Sequence, residues 1–300
     1  MKKKVIICDS GISKRHLSCV QPIDVGCGWR DDNGHGSVLI DIIQLIVPDT
    51  EKISIKILNE ENECSLNDLL LALEKCVEFA EDAIICLALA IEQELYIQPI
   101  AEIIKKLIQN NNLVVSSVFN NMSDSFPACM KEVIGVCYYD EEIFEGQYYY
   151  PENEIQCHLP YMKIIAEGTD GIYQIFGGNS LLCILLITHI LHLFDEMGKV
   201  DIDFLQSKLE KQTINNLYFN KFILDNKIIE DELISGTIDS ILRELGFNEN
   251  EELVYQIDDL NELNILFGTL KKRGLDINKK KLFLIDYLGN RRKLTQYFST

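Results

Sequence analysis

Five short runs rich in valine and isoleucine, Val5–Cys8, Ile53–Leu58, Ala83–Leu89, Leu113–Val118 and Val133–Tyr138, alternate with helical patterns over the first 197 residues. Strands this continuously apolar are buried on both faces, and a parallel sheet between two layers of helices is the arrangement that buries them. The intervening segments agree. Val38–Val47 reads as a helix, and Ser65-x-x-Asp68 resembles a capping box ahead of Leu69, Leu70, Leu73, Cys76, Val77 and Ala80 at helical spacing. Pro99 suits the first turn of a further helix carrying Ile103, Ile104, Leu107 and Ile108. Asp140–Glu154 reads as a loop or edge hairpin.

Beyond residue 197 the pattern changes. Periodicity weakens around Asn215–Asn226, where a linker is expected. Ile229–Leu245 and Asp258–Arg273 are amphipathic helices stopped by Gly246 and Gly274, and a last helix is expected over Lys280–Leu288. The chain thus divides into an α/β domain (1–197), a connecting stretch (198–226) and a small helical domain (227–300).

A net charge of −19 leaves no broad basic surface for phosphates, so a nucleic-acid partner is excluded, whereas a basic peptide suits the balance. The basic residues gather at Lys2–Lys4 and in the last thirty or so positions. Ten cysteines lie between Cys8 and Cys183, several inside apolar runs and none in a CxxC pair. They read as reduced thiols of a cytoplasmic protein with no metal site and no cofactor. Val5–Ile7 is too short for a signal-peptide core, and Leu181–Phe194 is below membrane-spanning length, so it reads as a buried helix with no membrane role.

Three residues stand where hydrolytic chemistry would want them. Asp9 ends a buried strand, His35 opens a helix between two glycines, and Ser180 follows Gly177 and Gly178 at the start of an apolar helix, where the dipole favours developing negative charge. Singly, each has an ordinary reading as a turn, a surface histidine or a helix cap. His16, His158, His189 and His192 fall in no motif.

The order Asp, His, Ser and the strings around them resemble the subtilisin-like serine proteases. VIICDSGI is similar to the family's strand ending in Asp-Ser/Thr-Gly, HGSVLIDII to its His-Gly-Thr-His helix, and GGNSLLCILLITHIL to the helix carrying the nucleophile. LVVSSVFNN with FPACMKEVIGVCYYD, and then YMKIIAEG, resemble two further blocks of that family. The resemblance implies a three-layer α/β fold, with Ser180 as nucleophile, His35 as general base, Asp9 orienting the imidazole and Asn120 donating to the oxyanion; Asn121 competes for that last role.

Departures accompany it. Val38 stands in place of a second histidine, Ile184 in place of proline, and Phe119 in place of a glycine. CLALA (Cys86–Ala90) replaces the substrate-binding strand, so Leu87, Ala88, Leu89, Ala90 and Phe119 would line a narrowed cleft that favours a small residue before the scissile bond or obstructs substrate altogether. The C-terminal domain resembles an acyl carrier protein more faintly, with Asp259 in the place of the attachment serine, so no phosphopantetheine is expected there. Taken together, the resemblances imply a cytoplasmic endopeptidase that removes a leader from a ribosomally made precursor peptide, with the C-terminal domain meeting the leader or other maturation enzymes. The alternative is a pseudo-protease that binds peptides. A nucleotide-binding protein is disfavoured because no GxGxxG or P-loop follows the first strand.

Overall fold

A computed structural model describes residues 4–91, 97–120, 125–139, 155–197, 205, 217–223, 231–248, 251–257, 259–277, 281–289 and 291–299. The chain forms two compact units: residues 1–162 with 177–220, and residues 163–176 with 221–300. Asp140–Glu154, expected as a loop or hairpin, lies outside the described residues, as does Asn121.

The first unit is built on seven parallel strands: β1 (Lys4–Asp9), β2 (Val20–Ile23), β3 (Glu51–Lys56), β4 (Ile84–Leu87), β5 (Leu113–Ser117), β6 (Ile134–Tyr139) and β7 (Ile155–Pro160), in the order β2-β3-β1-β4-β5-β6-β7. All five expected strands are present. The two that the pattern missed are the edges, and Pro22 in β2 shows why: a strand with a residue unable to donate is tolerated only there.

Strand periodicity sorts side chains to two faces. Ile6, Cys8, Ile53, Ile55, Ile85, Leu87 and Val114 form one core with Leu69, Leu73 and Cys76 of α2 (Leu66–Phe79) and Ile100, Ile104 and Leu107 of α3 (Ile97–Gln109). Ser65 caps α2 by accepting from Asp68 N–H, as its pattern implied. On the other face α1 (His35–Ile46) packs on α4 (Gly178–Met197), which lies along β4, β5 and β6. Helix α4 is apolar all round and extends past both ends of the run Leu181–Phe194; it is long enough to cross a membrane, yet 78% of its apolar window is buried inside the protein. It is the core helix of a three-layer α/β unit.

The second unit is not purely helical. Three strands, β8 (Lys163–Glu167), β9 (Tyr173–Gly177, its last residue in the first unit) and β10 (Phe283–Leu284), join in the order β10-β8-β9 beside α5 (Glu232–Glu244), α6 (Leu260–Lys272) and α7 (Arg291–Phe298). Their shared core includes Ile165, Tyr173, Ile241, Leu266, Phe267, Phe283, Leu294 and Tyr297. The helix expected over Lys280–Leu288 is reduced to a 3-10 helix at Ile285–Gly289: ahead of it Phe283 and Leu284 pair with Ile165 and Ile164 of β8, so pairing decided a short apolar run that periodicity could not. The second unit also takes in 163–176, which the sequence reading assigned to the first domain.

Candidate active site

The strand order turns at β1, which lies between β3 and β4, and the carboxyl ends of these parallel strands open on one side of the sheet. In open α/β sheets that crevice is where ligands bind. Asp9 is the last residue of β1; Ala88 and Asn120 follow the neighbouring β4 and β5.

Asp9 is fully buried. Its Oδ1 accepts from Ser10 N–H at 2.7 Å and faces His35 Nδ1 at 2.8 Å. Oδ2 has no hydrogen-bond partner among the described residues. An Nδ1–H···carboxylate bond fixes the imidazole's tautomer and leaves Nε2 with its lone pair, the arrangement a general base needs. Burial works against a charged His35, but the Asp9 carboxylate, through charge and hydrogen bond, and the Asp31 carboxylate outweigh it and raise its pKa above the ordinary 6.5.

The helix bearing His35 starts unusually. Gly34, at φ +93°, is its N-cap and offers no side chain. Capping comes from Asp31, 1% exposed, which accepts from Gly34 N–H and Ser37 N–H at 2.8 Å each. Gly36 lies so close to Gly11 that a Cβ there would stand 2.3 Å from the Gly11 carbonyl oxygen.

Ser180 is half-buried in the first turn of α4, and its hydroxyl donates to the Ala88 carbonyl at 3.2 Å. The neighbouring Asn179, 1% exposed, ties this helix start to two strand ends: its Oδ1 accepts from Tyr138 N–H at 2.8 Å, and its Nδ2 donates to the carbonyls of Val118 (2.9 Å) and Phe119 (3.0 Å). Asn179 N–H donates to Asn120 Oδ1 at 3.0 Å. A side chain at Gly178, φ +70°, would collide with that same oxygen.

The structure therefore brings Asp9 to His35, Ser180 to Ala88, and Asn120 to the start of the helix bearing Ser180. The expected cleft residues divide. Leu87 and Leu89 belong to the core against α2 and α3, so these side chains do not line a cleft. Ala88 contributes its carbonyl, while Ala90 and Phe119 are half-buried. Asp31 and Asn179 are the residues sequence reasoning missed. The signal that could have found Asp31 is a carboxylate a few residues ahead of GHGS, whereas nothing in the local string places Asn179 against two strand ends.

A cavity of about 770 Å³ adjoins the site, lined in part by Asp32, Glu60, Glu61, Glu63 and Asp68. Two more of its lining residues, Ile57 and Leu58, donate backbone N–H groups to the Asp9 carbonyl at 2.8 and 3.2 Å.

No protein-family model and no curated protein matches the sequence. Solved structures do. The chain is similar to sphericase (TM-score 0.58, 15% identity, 70% of this chain and 83% of that one). It is similar to a cold adapted subtilisin-like serine proteinase (0.56, 12%, 71% and 84%) and to the prenylagaramide maturation protease PagA (0.51, 18%, 66% and 78%). At such identities the likeness is one of fold: the α/β architecture with its parallel sheet is that of the subtilisin-like proteases.

Proposed function

We propose that the chain is a serine endopeptidase of the subtilisin type. The observation that carries this reading is the 2.8 Å contact between the buried Asp9 carboxylate and His35 Nδ1 at the carboxyl edge of the sheet, on a subtilisin-like fold. In the proposed reaction His35 Nε2 takes the Ser180 proton as Oγ attacks the scissile carbonyl, then returns it to the leaving amine. Asn120 donates its side-chain NH₂ to the oxyanion, the amide oxygen being held by Asn179 N–H. For this the Ser180 hydroxyl leaves the Ala88 carbonyl, a single side-chain rotation.

The substrate we infer is a precursor peptide losing its leader in the cytoplasm. PagA is a maturation protease, the acidic cavity beside Asp9 suits a peptide bearing basic residues, and all ten cysteines are free thiols. The second unit would then bind the leader or a partner enzyme without a prosthetic group. Asp259, at the place of a carrier's serine, caps α6 by accepting from Glu262 N–H at 2.9 Å. The Ser180–Ala88 bond favours a second reading, a peptide-binding pseudo-protease whose serine stays occupied.

Labelling by a fluorophosphonate separates the two. An active enzyme labels once, at Ser180, and cleaves precursor peptides encoded beside its gene; Ser180→Ala and His35→Ala each lose both reactions, and the double variant is scarcely worse than either. A folded protein that does not label is the pseudo-protease.

A further inference from the structure

We propose that Asp31 is a positioning residue for His35: a second buried carboxylate that fixes the start of α1 and so aims the imidazole at Asp9. The proposal rests on His35 acting as general base, and it concerns a residue that touches no substrate.

Both Asp31 oxygens are used. Oδ1 accepts from Ser10 Oγ (2.9 Å), Asn33 N–H (3.2 Å) and Gly34 N–H (2.8 Å), and Oδ2 accepts from Ser37 N–H (2.8 Å). Ser10 Oγ in turn accepts from Gly36 N–H at 2.8 Å. The backbone N–H groups at 33, 34, 36 and 37 are thus held directly by Asp31 or through one hydroxyl, while His35 N–H goes to Asn33 Oδ1 at 2.8 Å. Every N–H flanking His35 leads back to this carboxylate, and Ser10 belongs to the same dipeptide as Asp9. One side chain therefore sets the distance between the acid and the base it orients.

The fixation is rigid for two reasons. A carboxylate accepting from backbone N–H groups at the positive end of a helix makes strong, charge-assisted bonds. At 1% exposure no water competes for them. The same burial lets its charge reach His35. Asp9, from the end of β1, and Asp31, from the loop ahead of α1, both act on that imidazole, and both favour its protonated form, which the proposed reaction passes through.

Asp31→Asn removes the charge and, because its NH₂ cannot accept, at least one of the bonds. The test follows His35 by NMR titration of histidine-labelled protein, assigned with His35→Gln, together with the rate of fluorophosphonate labelling against pH. In Asp31→Asn the His35 midpoint is expected to fall below that of the parent. The acid limb of the labelling profile should follow it. For precursor cleavage, kcat should fall about tenfold with KM within twofold, the split expected of lost positioning. Ser10→Ala keeps the charge and cuts the link to Gly36; it should slow labelling several-fold while leaving the titration near that of the parent. A folded Asp31→Asn protein with an unchanged His35 titration overturns the proposal, as does a loss confined to KM. If Asp31→Asn does not fold, Ser10→Ala decides, and a labelling rate equal to the parent's overturns the positioning role. A parent protein that never labels defeats the peptidase reading, while the titration still reports on Asp31.

Discussion

Asn179 N–H donates to Asn120 Oδ1 across 3.0 Å, and this one bond decides which end of the Asn120 amide faces outward. The donor requires oxygen opposite it, so the NH₂ group is the end presented to an incoming oxygen. Asn120 is solvent-exposed at the end of its strand, where a substrate would meet it.

Replacing Asn120 by alanine should lower kcat about 10²–10³-fold, roughly 3 kcal/mol of transition-state stabilisation, with KM little changed. Asn120→Asp would still accept from Asn179 but would set negative charge against the oxyanion, so its loss should be at least as large. Steady-state kinetics on one cleavable peptide checks both.

Asn179→Ala should act on stability first. It strands Tyr138 N–H and the carbonyls of Val118 and Phe119, which the Asn179 side chain now satisfies. A buried polar group left without a partner costs about 1–3 kcal/mol. The urea midpoint should therefore drop well below that of the parent, and below that of Asn120→Ala.

The raised His35 pKa fixes the sign of two pH effects. Nε2 acts as a base only when the imidazole is neutral, so the rate should climb with pH through a midpoint above 6.5. Stability runs the other way. A group whose pKa is higher folded than unfolded stabilises the fold fully below its unfolded value, and that contribution fades as pH rises through the folded one. Against His35→Gln, the parent's stability advantage should be greatest on the acid side of 6.5 and shrink above it; urea titrations on either side of that midpoint measure it.

Gly36→Ala tests the closeness of α1 to the chain after β1. Its Cβ would meet the Gly11 carbonyl oxygen at 2.3 Å, and backbone cannot step aside as a flexible side chain would. The helix must shift, at a cost of about 1–3 kcal/mol, and His35 shifts with it. Calorimetry should show a lower Tm, and fluorophosphonate labelling should slow more than Tm alone explains.

Legibility in the sequence followed the range of the interactions. The five interior strands and helices α1 to α4 were readable because burial on both sheet faces leaves continuous apolar runs, and one-sided packing leaves a helical period. The Asp9–His35 contact and the place of Ser180 at the start of its helix were readable because each of these residues sits at an element end with its own local string. Interactions across the fold left no such trace. Leu89 was expected in a cleft, yet its side chain lies in the core against α2 and α3. Phe283 and Leu284 looked helical until β8 supplied a pairing partner. Helix α7 was missed because its Arg-Arg-Lys start precedes a short apolar face of Leu294, Tyr297 and Phe298.

The second unit is discontinuous in the chain, and this bears on the order in which the protein is made. Ile165 and Tyr173 leave the ribosome before Ser180, but the side chains that bury them, Phe267, Phe283 and Tyr297 among them, come a hundred residues or so later. Asn264, whose side chain brackets the backbone N–H and carbonyl of Tyr173 at 2.6 and 2.9 Å, is likewise a late arrival. Until then β9, the strand that runs directly into the helix bearing Ser180, lacks the core that holds it. A nascent or truncated chain therefore carries Ser180 just beyond an unanchored strand, and synthesis to the last helix is what finishes the segment leading to it.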